Sequence, residues 1–443
     1  MGLQLTSSDQ VLALAPDSDS AKNAKKLGNT KNWKSLGQSP EALWGECQGS
    51  GKDPYQVRVD LSTLTMTCSC PSRKAPCKHA LGLLLVAVGT PSDVPAAEPP
   101  EWVASWLAKR AAISKRKETA AQKTAVNEPP SAEQKKRADK RQAQVTKGLD
   151  RLDLWLNDLV RNGLASVEAQ PAKFWEDQSA QMVDAQAPGI ATRLKSIAGI
   201  PNSSPDWPEK LLAQLGRLAL LTHAFRRSGK LEAALQEDIR LLVGWRIEQE
   251  EVYARGEKMA DDWLILGQRL NDEEKVREQR TWMLGIQTGR PALVLQFAFG
   301  QTPFKEVFPL GTHQRADLAF YPSASPLRAL LEARHGEIFP LTEHLPGVDT
   351  IETFLASVAA VLARQPWQDR FLCVLQDATS ICDNHGARWY IRDSTGAGLL
   401  LEKGEHWRLL AVSGGMPVDF AGEWNGETLS PLGVLVDSKY YVL

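Results

Sequence analysis

The chain has 443 residues, a formal net charge of −1 and six cysteines. This length is enough for two or three domains with their own hydrophobic cores. The low cysteine content argues against a disulfide scaffold and indicates a reducing compartment. Outside residues 109–147 the charge balance is acidic, which argues against an extended nucleic-acid-binding surface, because such surfaces are normally basic.

Residues 1–27 are predicted to form an N-terminal extension. They lack the basic start and apolar core of a secretory signal peptide. The longest apolar stretch runs from Ala80 to Val88, far short of the roughly 20 residues that span a bilayer. We therefore expect a soluble, cytoplasmic protein without a membrane partner.

The most informative motif is Cys-x-Cys, followed after six residues by Cys-x-His. Three thiolates and one imidazole form a full tetrahedral ligand set for Zn²⁺. The alternatives are chance clustering or a pair of disulfides, but no apolar pattern explains three cysteines here. The motif therefore predicts one structural zinc ion, bound by Cys68, Cys70, Cys77 and His79.

The residues around the motif predict a small ββα unit. Apolar and polar residues alternate over residues 55–67, as expected for two short strands with a turn at Asp60. Lys78 to Val88 is an apolar run of helix length that ends before Gly89. Such a unit buries little apolar surface, so bound zinc would contribute to its folding free energy.

On these residues the segment resembles the SWIM zinc finger over residues 28–90, and the surrounding sequence resembles stand-alone bacterial members. The resemblance implies zinc binding through the four ligands, and an ability to bind DNA or other proteins. Members of this type are encoded beside MoxR-type AAA+ ATPases and von Willebrand A-domain proteins. The resemblance therefore implies these proteins as partners.

Residues 91–145 are predicted to be a helix and a basic linker. Trp102 and Trp106 lie on one helical face, which favours packing onto the finger or the next domain. From Lys109 to Lys147 there are twelve basic and four acidic residues, leaving 40 basic and 49 acidic elsewhere. This segment is either a solvated tether or an arm that neutralises phosphates. Candidate nucleic-acid or partner contacts in the finger itself are Arg73, Lys74 and Lys78.

Residues 146–280 are predicted to form a helical domain, either a bundle or a stacked array. Leucines repeat at helical spacing in several segments, and the last such stripe runs from Trp263 to Leu270. Breaks fall at Pro188-Gly189, around Pro201, and at Gly256.

Residues 281–443 are predicted to form a β-rich domain, a small barrel or sandwich, because turn residues recur every eight to twelve positions. Helices are expected near Leu327–Ala333 and from Thr350 to Ala363, and a strand over Trp407–Ala411. A second metal site remains an alternative interpretation, formed by Cys373, Cys382, His385 and His406.

The predicted fold class is a multidomain α+β protein: an N-terminal ββα zinc finger, a helical middle domain and a C-terminal mixed α/β to all-β barrel or sandwich. No phosphate-binding loop, nucleophile elbow or metalloprotease helix occurs, so an enzyme is not expected. Cys47 is either a reactive thiol or a residue packed under the finger. Two hypotheses remain: a zinc-binding adaptor in a larger protein assembly, and a DNA- or RNA-binding protein that uses the basic finger and linker.

Overall fold

The structure is a computed structural model. It describes residues 7–16, 18–49, 53–61, 64–72, 74, 76–112, 132–273, 276–300, 302, 304–383 and 388–443. Arg73 and His385, which the sequence singled out, lie outside the described residues, as does the middle of the basic segment at 113–131.

The N-terminal unit is an antiparallel four-stranded sheet with strand order β1-β2-β3-β4, packed against helices. Val57 and Val59 alternate along β3 and are fully buried, as their spacing predicts. The elements are α1 (Ser8–Ala13), α2 (Ser18–Leu27), β1 (Trp33–Gln38), β2 (Ala42–Cys47), β3 (Tyr55–Asp60), β4 (Thr65–Cys68) and α3 (Lys78–Gly89).

Helix α3 is the centre of this unit. Its residues from His79 to Ala87 are all buried, which explains why its sequence is apolar on every side. A side chain at Gly82 would come within 2.7 Å of the Leu27 Cβ. Glycine at this position therefore allows α2 and α3 to pack closely.

The predicted tryptophan helix is α4, residues 101–112. Trp102 packs against Val103, Ala42 and Trp44. The Arg58 guanidinium lies 5.7 Å from the Trp102 ring centroid and 5.3 Å from that of Trp106. The expected packing of this aromatic pair onto the finger is confirmed.

The middle of the chain is a helical bundle whose core consists mainly of leucine and isoleucine. No helix in the described residues is both long and apolar enough to cross a membrane. The helices are α5 (Ala132–Asn162), α6 (Ala172–Asp184), α7 (Pro188–Ile197), α8 (Trp207–Arg226), α9 (Ala233–Val243) and α10 (Gln249–Arg255).

A closed barrel follows, with strand order β5-β6-β7-β9-β8. Its core includes Trp263 and Phe320, whose ring centroids lie 6.1 Å apart. The barrel closes through a short parallel pairing of β7 with β9. The strands are β5 (Glu257–Glu273), β6 (Val276–Gly285), β7 (Pro291–Phe299), β8 (Thr312–Phe320) and β9 (Arg328–Pro340).

The C-terminal unit is a six-stranded antiparallel sheet with strand order β12-β11-β10-β13-β14-β15, and it packs against the barrel. Its elements are α11 (Ile351–Arg364), β10 (Phe371–Cys382), β11 (Trp389–Arg392), β12 (Gly398–Leu400), α12 (Trp407–Ser413), β13 (Val418–Trp424), β14 (Leu429–Val436) and β15 (Lys439–Val442).

Three expectations about secondary structure were wrong. The helical region ends at Arg255 instead of residue 280, because the apolar stripe from Trp263 belongs to β5. Residues 263–267 are all buried, since successive side chains of β5 face the barrel core and the C-terminal sheet in turn. Residues 328–333 form the start of β9, and Trp407–Ser413 forms the short helix α12.

Hydrogen bonds between side chains and backbone connect these units. The Trp367 indole nitrogen donates to the Arg217 carbonyl oxygen at 2.9 Å, joining the C-terminal unit to the bundle. The Tyr440 hydroxyl donates to the Leu266 carbonyl oxygen at 2.6 Å, joining the C-terminal sheet to the barrel. The Gln10 side-chain amide donates to the Ile338 carbonyl oxygen, joining α1 to β9.

Candidate metal centre

The four predicted ligands meet at one point of the N-terminal unit. One ligand atom from each of Cys68, Cys70, Cys77 and His79 lies within 4.8 Å of all the others. Cys77 and His79 are buried, whereas Cys68 and Cys70 are half-buried. No second group of three or more such side chains occurs among the described residues.

A strand end and a helix start bring the ligands together. Cys68 is the last residue of β4 and pairs with Val57 of β3. Cys77 has extended backbone angles and directly precedes α3, and its carbonyl oxygen accepts the Leu81 amide at 3.1 Å. His79 is therefore in the first turn of α3, where the sequence predicts it.

The distance between the Cys68 and His79 donor atoms fits a tetrahedral ion. Zinc bonds of about 2.0–2.3 Å at tetrahedral angles place ligand atoms roughly 3.3–3.8 Å apart. The Cys68 Sγ lies 3.8 Å from the His79 Nδ1. The Tyr55 ring, whose centroid is 5.0 Å from that of His79, packs beside the imidazole. Sequence reasoning assigned Tyr55 only to a strand, because nothing in its spacing indicates a contact with the ligand.

Hydrogen bonds between their side chains shift the pKa values of the cysteines. Hydrogen bonds from the Cys68 and Cys77 side chains hold the pKa of Cys70 far below its usual range. Hydrogen bonds with Cys70 and Cys77 raise the pKa of Cys68. Because the three side chains are hydrogen-bonded to one another, loss of a proton from one cysteine is stabilised by the other two. The resulting thiolate is the form that binds metal.

The donor set suits one structural zinc ion, held by Cys68, Cys70, Cys77 and His79. Three cysteines and one histidine occupy all four positions of a tetrahedral ion, which is the composition of structural rather than catalytic sites. When bound, zinc supplies a cross-link between β4 and α3. The chain itself supplies the positions of the four donors and the Tyr55 ring beside the imidazole.

The site and fold define a zinc-finger-containing protein. In comparison with known families, residues 55–87 match the SWIM zinc finger. Residues 140–243 match the SWIM-associated four-helix bundle domain. The chain therefore carries both a SWIM zinc finger and the bundle that accompanies it. Neither the curated proteins nor the solved structures include a significant match.

The predicted basic contacts are only partly described. Lys74 is exposed after the second ligand, and Lys78 is exposed at the first position of α3. Arg73, between the second and third ligands, is outside the described residues. Cys47 is buried at the end of β2, where burial raises the pKa of its thiol. This position agrees with a residue packed under the finger.

The alternative second metal site does not form among the described residues. Cys373 is buried inside β10, and burial raises the pKa of its thiol. Cys382 is the last residue of the same strand. His406 packs on Trp389 at 6.1 Å between ring centroids, and its Nε2 lies 2.9 Å from the Glu402 carbonyl oxygen.

Proposed function

We propose that this protein is a zinc-stabilised adaptor, and not an enzyme, that acts in a larger protein assembly. The observation that carries the proposal is an aromatic strand edge on the barrel, formed by residues 295–299 of β7. Partners of the class that the sequence resemblance implies, an AAA+ ATPase and a von Willebrand A-domain protein, would bind there. The closed zinc site supports a structural role for the metal, because no ligand position remains for water or substrate.

The strand edge is paired on one side only. β7 pairs with β6 along its whole length, but with β9 only at Leu293 and Val294. Among the described residues, no strand pairs with the second edge of 295–299. At its end, the Phe299 carbonyl oxygen accepts a hydrogen bond from the Thr302 amide at 3.0 Å. Unpaired backbone groups of this kind can accept a strand from another protein.

Two exposed phenylalanines mark the same segment. Phe297 is 52% exposed and Phe299 is 69% exposed, whereas Ala298 between them and Gln296 before them are buried. Large exposed aromatic residues are typical of protein interfaces, where they provide apolar contact area. The combination of aromatic side chains with an unpaired edge therefore favours a protein partner.

The test uses purified full-length protein mixed with the AAA+ ATPase and von Willebrand A-domain protein encoded in the same genome. Complex formation is measured by size-exclusion chromatography with light scattering. We expect the Phe297→Asp/Phe299→Asp variant to lose the complex. A matched variant with two exposed apolar residues of the bundle replaced, Val183→Asp/Leu212→Asp, should retain it. Absence of any complex with the unaltered protein would refute this choice of partners.

Nucleic-acid binding through the finger is the second candidate, favoured by exposed Lys74 and Lys78. No acidic residue occurs from Cys68 to Val88. However, α3 is buried from His79 to Ala87, so it cannot enter a DNA groove as a recognition helix does. Any such contact would be made with phosphates by the loop before α3.

This candidate predicts micromolar or tighter binding to DNA that disappears in an Arg73→Ala/Lys74→Ala/Lys78→Ala variant with its zinc retained. Binding that survives the triple substitution would exclude the finger as the contact. Because this variant leaves β7 unchanged, it separates the second candidate from the adaptor proposal.

A further inference from the structure

The first helix of the bundle, α5, has two opposite faces. Its apolar face packs into the bundle core through Val145, Leu149, Leu152, Leu156 and Leu159, all at most 6% exposed. The opposite face carries a different set of side chains. With about 3.6 residues per turn, four basic residues fall within an arc of roughly 60° there. We call these residues the basic stripe: Lys136, Lys140, Lys147 and Arg151.

All four residues of the basic stripe are exposed. None of them has an ion pair among the described residues. Neighbouring charges differ in this respect, since Arg226 pairs with Asp150 and Asp153, and Arg137 lies 3.9 Å from Glu133. The stripe therefore keeps its positive charges available to an outside partner.

A cation–π stack fixes the position of this part of α5. The Arg141 guanidinium lies 5.1 Å from the Trp245 ring centroid, and that of Arg240 in α9 lies 5.0 Å from the same ring. Arg141 directly follows Lys140, so the stack holds α5 against the bundle at the second residue of the basic stripe. From Lys136 to Arg151 the stripe is about 22 Å long, at about 1.5 Å per residue.

We infer that the basic stripe binds the phosphate backbone of duplex DNA. Four unpaired cations on one rigid face match a polyanion whose charges also lie in regular rows. The stripe has no exposed aromatic residue, which binding of single strands by base stacking would need. It is bounded by exposed, acidic Glu133 at one end, and by exposed Leu154 and acidic Asp158 at the other. The contact would be independent of base sequence, because it involves phosphates only.

This inference goes beyond the adaptor proposal, which involves β7. It develops the phosphate-neutralising arm that the sequence predicts from Lys109 to Lys147, because Lys136, Lys140 and Lys147 belong to that segment. The finger loop of the second candidate is a different surface. A failure of one can therefore be distinguished from a failure of the others by separate variants.

The experiment measures binding of a short fluorescent DNA duplex to the zinc-bound full-length protein by anisotropy at several salt concentrations. The test variant is Lys136→Gln/Lys140→Gln/Lys147→Gln/Arg151→Gln. The control removes the same charge from four other exposed residues of the bundle: Lys173→Gln/Lys195→Gln/Arg227→Gln/Lys230→Gln. Circular dichroism checks that both variants keep their helices.

We expect the test variant to bind at least about tenfold more weakly at low salt, with the control close to the unaltered protein. Each lost phosphate contact should also reduce the slope of log K against log salt by about 0.9, so loss of all four contacts reduces it by up to about 3.6. Equal weakening in both variants would show a general charge effect and overturn the inference. Undetectable binding by the unaltered protein, or tighter binding to the matching single strand, would overturn it too.

Discussion

The Thr65 hydroxyl donates a hydrogen bond to the Lys305 carbonyl oxygen at 3.1 Å, joining the finger to the segment between β7 and β8. The same hydroxyl accepts a hydrogen bond from the Arg110 Nη2 at 3.0 Å. Thr65 begins β4, and the first zinc ligand, Cys68, ends it. One short strand thus connects the metal site to the barrel.

Thr65→Val keeps the shape of the side chain but removes the hydroxyl from both hydrogen bonds. Because each such bond contributes about 1 kcal/mol net, we expect a loss of about 1–3 kcal/mol in the free energy of unfolding. Hydrogen–deuterium exchange should rise in β4 and in residues 304–308. Thr65→Ser keeps the hydroxyl, so its exchange in these segments should change much less. Equal amide exchange in Thr65→Val and Thr65→Ser would show that the Thr65 hydroxyl does not connect the finger to the barrel.

Removal of one zinc ligand should unfold the finger and spare the bundle. In Cys70→Ser or His79→Ala, metal analysis should fall from one zinc per chain to none. Amide exchange should rise from about Tyr55 to Val88, because zinc binding contributes free energy to the folding of small metal sites. Residues 140–243 should keep their protection, since the bundle has its own core.

The control for the zinc prediction is Cys47→Ser. Cys47 is buried close to the cluster but does not belong to the ligand group. This variant should retain one zinc per chain. Loss of zinc from Cys47→Ser, or full protection of residues 55–88 without zinc, would contradict the assignment of ligands.

Trp367 should be a main anchor between the C-terminal unit and the bundle. It is 4% exposed, packs in the bundle core and donates its indole hydrogen to Arg217. We expect Trp367→Ala to cost about 3–5 kcal/mol and Trp367→Phe to cost less, with loss of the hydrogen bond contributing about 1 kcal/mol.

Urea denaturation followed by circular dichroism measures these costs. Phe299→Ala, which truncates an aromatic residue that is 69% exposed, should stay within about 0.5 kcal/mol of the unaltered protein. A similar small effect for Trp367→Ala would show that the two units are not coupled through this residue.

The Glu257–Arg290 pair should make stability depend on pH in the acid range. Two hydrogen bonds from Arg290, at 2.5 and 2.8 Å, hold the pKa of Glu257 below its ordinary value of 4.5. The folded state therefore favours the carboxylate. Its contribution is present above pH 4.5 and is lost as the pH falls through the depressed pKa of the folded state.

Because the Glu257 side chain is half exposed, solvent limits this contribution to below about 1 kcal/mol. Glu257→Gln should make the loss of stability between neutral and acid pH smaller by that amount. Glu405→Gln replaces an exposed carboxylate that has no ion pair among the described residues, so it should leave the pH profile unchanged. Identical profiles for the two variants would contradict the role of the pair.

The metal ligands were predictable from sequence because their spacing reflects chemistry. Cys68, Cys70, Cys77 and His79 are too close in the chain, and too rich in thiols, to be explained by packing. Helix α3 was equally clear, since Gly89 ends a continuous apolar run. The contact of Tyr55 with His79 was not predictable, because it depends on how β3 and α3 approach each other.

The start of the barrel was missed for a physical reason. Residues 263–267 are buried on both faces of β5, so their apolar run lacks the alternation that normally identifies a strand. Leu264 and Trp263 therefore fitted a helical stripe as well as a strand. At Trp407 a helix was taken for a strand, because a seven-residue helix is too short to show a helical period.

The hydrogen bond between Gln10 and Ile338 joins residues that are 328 positions apart. At synthesis rates of about 5–20 residues per second, Ile338 leaves the ribosome roughly 16–66 s after Gln10. During that time, the part of the finger core that Ile338 and Val307 complete has no barrel to pack against. The newly made N-terminal unit therefore leaves this apolar surface uncovered until β9 has been synthesised, and transiently exposed apolar surface is what chaperones bind.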